Sequence, residues 1–168
     1  MTTTHTAQTT QVYRVWIKAS PEAIWDAITK PDWTDRYGYT GLVEYDLRPG
    51  GAFRSVAGPT MEAAGFTGTM VDGEVLEADP PRKLVQTWRM LMDPGMQAEG
   101  FSQLTYEIEQ TAEGVSRLTV THELESTPGL AAMVAGEDEA SGAGGGWAWI
   151  LSDLKSLLET GERLPFGG

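Results

Sequence analysis

His122 is the one histidine beyond the N-terminal stretch that holds His5, and an imidazole can act as a general acid or base or hold the polar end of a ligand. Strand alternation places His122 on one face with Leu118 and Val120, so it is expected to point inward as the candidate catalytic residue. No second group stands at a set spacing to form a dyad with it. The alternative is structural: His122 hydrogen-bonds a backbone group near the start of the last helix. Neighbouring His122 and Glu123 leave a strand on opposite faces and cannot chelate together, so no metal is expected. The chain has no Cys, which removes disulfides, thiolate zinc sites and a cysteine nucleophile, and it has no Gly-x-Ser-x-Gly elbow. Gly142-Ala143-Gly144-Gly145-Gly146 precedes a helix without a buried parallel strand before it or a Lys-Ser/Thr pair after it. It reads as a hinge or lid and not as a phosphate cradle, and no cofactor is expected.

The second chemical resource is apolar. Trp25, Trp33, Tyr37, Phe53, Trp88, Met90, Met92, Phe101, Tyr106 and Trp147 are spread so that they either converge on one ligand cavity or fill an ordinary core. Ile150, Leu151 and Leu154 of the last helix complete the candidate ligand-binding set, with His122 as its polar member. Arg54, Gln86, Arg89, Gln103 and Thr105 lie on expected strands, and an inward Arg would imply a carboxylate or phenolate partner. A register slip of one residue would reverse every such facing.

The element that must position these groups is the stretch from Gly146 to Glu159. Trp147, Ile150, Leu151, Leu154 and Leu158 share one helical face, whereas Ser152, Asp153, Lys155, Ser156 and Glu159 lie elsewhere. A lone helix of this length is marginal in water, so the stripe must lie against something else. The partner is a sheet. Alternating runs predict strands at Val12 to Ala19, Leu42 to Leu47, Ala52 to Val56, Thr67 to Ala78, Lys83 to Met92, Ser102 to Gln110 and Val115 to Leu124. Leu84, Trp88, Met90 and Met92, then Leu104, Tyr106 and Ile108, mark the dry face, and Arg89, Gln103, Glu107, Arg117 and Thr119 mark the wet one. Ser20-Pro21-Glu22 opens a helix from Pro21 to Thr29, and Asp32 to Tyr37 reads as a second short helical turn.

The length of 168 residues fits one domain. Residues 1–11 read as a Thr-rich disordered lead-in, 12–163 as the domain, 125–146 as a mobile loop with room for one helical turn, and 164–168 as a tail. A formal charge of −12 repels phosphate backbones and anionic membranes, so no nucleic acid is expected as partner. No apolar run approaches the ~20 residues of a membrane span, and a cytoplasmic location is expected.

Six stretches carry a resemblance: Ala19-Ser20-Pro21-Glu22-Ala23-Ile24-Trp25, Arg48-Pro49-Gly50-Gly51-Ala52-Phe53, Gly73-Glu74 through Lys83-Leu84, Thr87-Trp88, Arg117 through His122, and Gly146-Trp147 with Leu154 through Glu159. In order and spacing the chain from Val12 to Gly161 resembles the START-like SRPBCC superfamily, in particular the branch named after the C-terminal domain of the activator of the ninety-kilodalton heat-shock chaperone ATPase. The resemblance implies an α+β helix-grip fold, with a curved antiparallel sheet of about seven strands around a long C-terminal helix and two short helices after the first strand. It implies a scaffold whose members bind lipids, hormones or polyketides, act as cyclases, or have no assigned role. The expected function is binding of a small hydrophobic molecule (lipid, polyketide or isoprenoid-like) between sheet and helix, by a monomer or homodimer. A cyclase, dehydratase or hydrolase using His122 is the alternative. A co-chaperone-like interaction, suggested by the branch's name, comes third.

Overall fold

The computed structural model describes residues 9–137 and 145–165. The acid patch after Glu137, the glycines up to Gly144 and most of both expected tails lie outside the described residues. The elements run β1 (Thr10–Ile17), α1 (Pro21–Thr29), α2 (Pro31–Thr34), β2 (Leu42–Tyr45), β3 (Ala52–Val56), α3 (Pro59–Ala63), β4 (Thr69–Asp79), β5 (Lys83–Met90), α4 (Pro94–Glu99), β6 (Ser102–Ala112), β7 (Val115–Glu123), α5 (Pro128–Val134) and α6 (Gly146–Thr160). The seven strands form one curved antiparallel sheet in the order β1-β7-β6-β5-β4-β3-β2, with β1 and β2 at its edges.

Alternation decides which side chains enter the core. On β5 to β7 the inward set is Leu84, Gln86, Trp88 and Met90, then Ser102, Leu104, Tyr106 and Ile108, then Ser116, Leu118, Val120 and His122. The register lines up Gln11, His122, Leu104, Gln86 and Val75 as one row across the concave face. Helix α6 lies over this face with Trp147, Leu151, Leu154 and Leu157 buried, each worth ~2 kcal/mol of apolar burial. That sum, more than intrinsic propensity, holds the helix in place.

Several boundaries differ from the sequence reading. Strand β1 begins at Thr10, inside the expected lead-in, because Gln11 is buried and donates to the carbonyl of Ala131 at 2.9 Å. The segment expected as a mobile loop contains α5, whose Leu130, Ala131 and Val134 are buried. Its first turn is tied to α4, since the Glu99 carboxylate accepts from the N–H groups of Gly129 at 2.7 Å and Leu130 at 3.2 Å. Gly146 is not slack chain either: it sits at φ +68°, and a Cβ there would lie 2.2 Å from the Val134 carbonyl oxygen.

Asp153, placed by helical period off the apolar face, has no exposure at all. Its carboxylate accepts from the Gly38 N–H at 2.9 Å, the Leu164 N–H at 2.7 Å and the Arg163 guanidinium at 2.9 Å, clamping the loop after α2 and the C-terminal segment onto α6. Asp153→Ala strips the Gly38 and Leu164 N–H groups of their acceptor and the Arg163 guanidinium of one of its acceptors. Chemical denaturation is expected to show a loss of about 3 kcal/mol, and a loss under about 0.5 kcal/mol would refute the clamp.

Candidate functional site

Two parts of the concave face differ in how tightly they close. At the β6–β7 end, Leu104, Leu118, Val120 and His122 have no exposure, and Leu154 of α6 is buried in the same core cluster. Toward β2, Trp33, Tyr37, Tyr45, Trp88, Tyr106 and Ile150 face inward and pack against the core, yet each stays only partly buried.

His122 belongs to the closed part. The Trp147 indole Nε1–H donates to His122 Nδ1 at 3.1 Å. An indole nitrogen can only donate, so Nδ1 carries no proton and Nε2 must. His122 Nε2–H then donates to Ser102 Oγ at 2.7 Å, and the Ser102 hydroxyl donates to the Trp88 carbonyl at 2.9 Å. Every link has a partner. The rings reinforce it: Trp88 and Trp147 stand edge-on to the imidazole, with centroids 5.7 and 6.0 Å away, and Tyr106 stands edge-on to Trp147 at 6.1 Å. Desolvation by burial lowers the imidazole pKa from its ordinary 6.5 to about 3. His122 is therefore a neutral strut whose two nitrogens are both engaged, and it presents neither to a substrate. The imidazole bonds at the start of the last helix, but to the indole of Trp147 and not to the backbone group expected there.

The more open part is lined by phenols. Tyr37 donates to the Ala27 carbonyl at 2.8 Å, and Tyr45 donates to Gln86 Oε1 at 2.6 Å while its ring packs on Phe53 at 4.7 Å. The Tyr106 hydroxyl makes no hydrogen bond among the described residues. Burial raises all three phenol pKa values, and the three hydroxyls interact: Tyr45 with Tyr106 and Tyr37, and Tyr106 with Tyr37. Gln86, whose facing the sequence left open, is fully buried on the concave side.

The remaining candidates fall elsewhere. Trp25, Phe53, Met90, Leu151 and Leu154 are core residues. Phe101 is 45% exposed on the convex face, under the Arg89 guanidinium at 4.4 Å, and so stands apart from the other aromatics. Met92, beyond the end of β5, is 40% exposed. None of the strand arginines points inward: Arg89 pairs with Asp72 at 2.7 Å, Arg54 with Glu44 at 3.1 Å and Arg117 with Glu109 at 2.7 Å, all on the outer face. Two open depressions mark the surface, one of about 420 Å³ beside Phe101, Gln103 and Glu123 and one of about 360 Å³ beside Glu44 and Arg54. They are shallow, lined largely by polar residues, and face away from α6. The described residues hold no cluster of His, Cys, Asp or Glu suited to a metal, and no described helix is long and apolar enough to cross a membrane.

Residues 18–159 match the family model described as Activator of Hsp90 ATPase homolog 1-like protein. Solved structures give the same fold at low identity. The Aha1 dimer from Colwellia psychrerythraea is 22% identical, with 92% of this chain and 98% of that one covered and a TM-score of 0.60. PFC0360w, an HSP90 activator from Plasmodium falciparum, is 23% identical over 70% of this chain and 74% of that one, with a TM-score of 0.52. DynU16, a protein of the dynemicin biosynthetic locus, is 21% identical over 93% of this chain and 49% of that one, with a TM-score of 0.64. No curated protein matches the chain.

Proposed function

The chain belongs to the family of Activator of Hsp90 ATPase homolog 1-like proteins, a branch of the SRPBCC superfamily, and on that premise we propose that it binds a small, largely hydrophobic molecule between the sheet and the N-terminal half of α6. One observation carries this reading: Tyr106 points inward and is strongly desolvated, yet it keeps accessible surface. A side chain satisfies both conditions when it lines a recess roofed by protein. Trp33, Tyr37, Trp88 and Ile150 give that recess flat, apolar walls suited to a lipid, polyketide or isoprenoid-like guest. The likeness to DynU16, from the dynemicin biosynthetic locus, agrees with it.

The reading predicts that the neutral dye Nile red gains fluorescence on binding and that native mass spectrometry retains members of a hydrophobic library. Ile150→Trp, at the partly exposed position on α6, should fill the recess and weaken dye binding at least about tenfold, with the melting temperature kept. A wild-type protein that takes up neither dye nor library member would end the proposal. The Colwellia dimer raises homodimerisation as a second property for this chain, which sedimentation would decide.

A further inference from the structure

The fully buried polar side chains of the concave face are satisfied with one exception. Gln11 donates to the Ala131 carbonyl and accepts from Tyr13, Ser116 donates to the Ala19 carbonyl, and Ser102 and His122 bond one another. Gln86 is as buried as these, at 0% exposure, and its Nε2 has no partner among the described residues. An orphaned buried donor costs about 1–3 kcal/mol, and the amide cannot escape by turning over. With its oxygen and nitrogen exchanged, Nε2 would donate to Tyr45 and the oxygen would be orphaned instead, while the phenol O–H would need a new acceptor. Either way the pair keeps a free N–H or O–H donor.

The pair also bridges the hollow. Tyr45 stands on β2 and Gln86 on β5, three strands away in the sheet order, so the 2.6 Å bond between them spans the curve of the sheet. Gln86 lies between Leu84 and Trp88 on its strand, and the unbonded Tyr106 hydroxyl belongs to β6, the next strand. A guest that parts the side chains now covering Gln86, which has no exposure, meets apolar walls around one carboxamide donor and one phenol. No strand arginine faces the recess, since Arg54, Arg89 and Arg117 are paired on the outer face; the cation beside its walls is Arg36, stacked on the Trp33 ring at 4.7 Å, and the chain's charge of −12 opposes anions.

We propose that Gln86, braced by Tyr45, is the polar anchor of the recess and that the guest is an uncharged molecule with a carbonyl oxygen on an apolar, aromatic body. This rests on the hydrophobic-ligand reading above and narrows it. The carbonyl accepts from Gln86 Nε2, and the rings stack among Trp33, Trp88 and Tyr106. A carboxylate in the same place would be buried against an amide and phenols, with no strand arginine facing it.

Calorimetric titration with 2-acetylnaphthalene, its hydrocarbon counterpart 2-ethylnaphthalene and the anion 2-naphthoate tests the assignment. Wild-type protein is expected to prefer the ketone over the hydrocarbon by roughly tenfold and to bind the anion more weakly than either. Gln86→Leu should erase that preference while retaining the hydrocarbon, and Tyr45→Phe should weaken it, so that one variant still reports if the other fails to fold. Equal binding of ketone and hydrocarbon by wild-type protein would overturn the anchor and leave the recess standing. Preference for the anion would overturn the neutral guest. Binding of none of the three would sink the anchor and the hydrophobic recess together.

Discussion

His122→Ala is expected to lower the unfolding free energy by about 3–5 kcal/mol. The truncation leaves a cavity at a site with no exposure, strands the Trp147 indole N–H, and removes the donor that orients the Ser102 hydroxyl. Because Trp147 opens α6, the loss should also show as weakened docking of that helix, read by tryptophan emission shifting to longer wavelength before global unfolding. Trp147→Phe keeps most of the apolar contact and deletes only the indole donor, so it should cost about 1–2 kcal/mol. A His122→Ala protein as stable as the parent would refute the strut.

The same geometry sets a pH dependence whose sign is fixed. The folded imidazole has its pKa lowered to about 3 by burial, whereas in the unfolded chain it titrates near 6.5. Between those values the unfolded state binds a proton that the folded state refuses, so the stability His122 provides is complete above about pH 6.5 and drains away as pH falls toward 3. Protonation would also place a hydrogen on Nδ1, facing the indole N–H that now bonds to it. Between about pH 6 and 5, where ordinary carboxylates stay ionised, stability should fall by about 1.4 kcal/mol per pH unit. His122→Gln should lose that slope. An unchanged slope in the variant would assign the acid sensitivity to other groups.

How far the sequence reveals this arrangement depends on how local each signal is. The dry and wet faces of β5 to β7 follow from alternation alone, and the long helix from its stripe. Phe101 obeys the same alternation: it shares parity with Gln103, on the wet face, and is opposite to Leu104 and Tyr106, which accounts for its exposure. Helices α3, α4 and α5 are too short for a periodic signal, but each begins on a proline, and Asp93-Pro94 repeats the Ser20-Pro21 pattern that revealed α1. Asp153 and Gln86 were out of reach. Asp153 is buried by groups at Gly38, Arg163 and Leu164, and Gln86 finds its partner on a strand about forty residues away. Period describes an element's own faces and is silent on what a distant segment brings to them.

Gly146→Ala should be among the most damaging single-methyl additions in the chain, by roughly 3 kcal/mol or more. Two costs coincide there. The backbone sits at φ +68°, where a side chain is strained, and the added Cβ would approach the Val134 carbonyl oxygen to 2.2 Å and the Gly136 nitrogen to 2.8 Å. Those atoms belong to the last residue of α5 and the turn just after it, so the methyl wedges the two helices apart at the residue before Trp147 and pulls the indole from His122. Gly161, at the other end of the same helix, separates the two costs: its φ is +81°, but nothing lies within 4 Å of where its Cβ would stand. Gly161→Ala should therefore show the backbone strain alone, about 1–2 kcal/mol. If the two variants lose equal stability, close packing of α5 on the start of α6 contributes nothing, and the glycine run before Trp147 acts only as slack chain. If Gly146→Ala loses the larger amount together with its long-wavelength emission shift, the contact that seats the indole on the imidazole also fixes where α6 begins, and with it the wall that Ile150 presents to the recess.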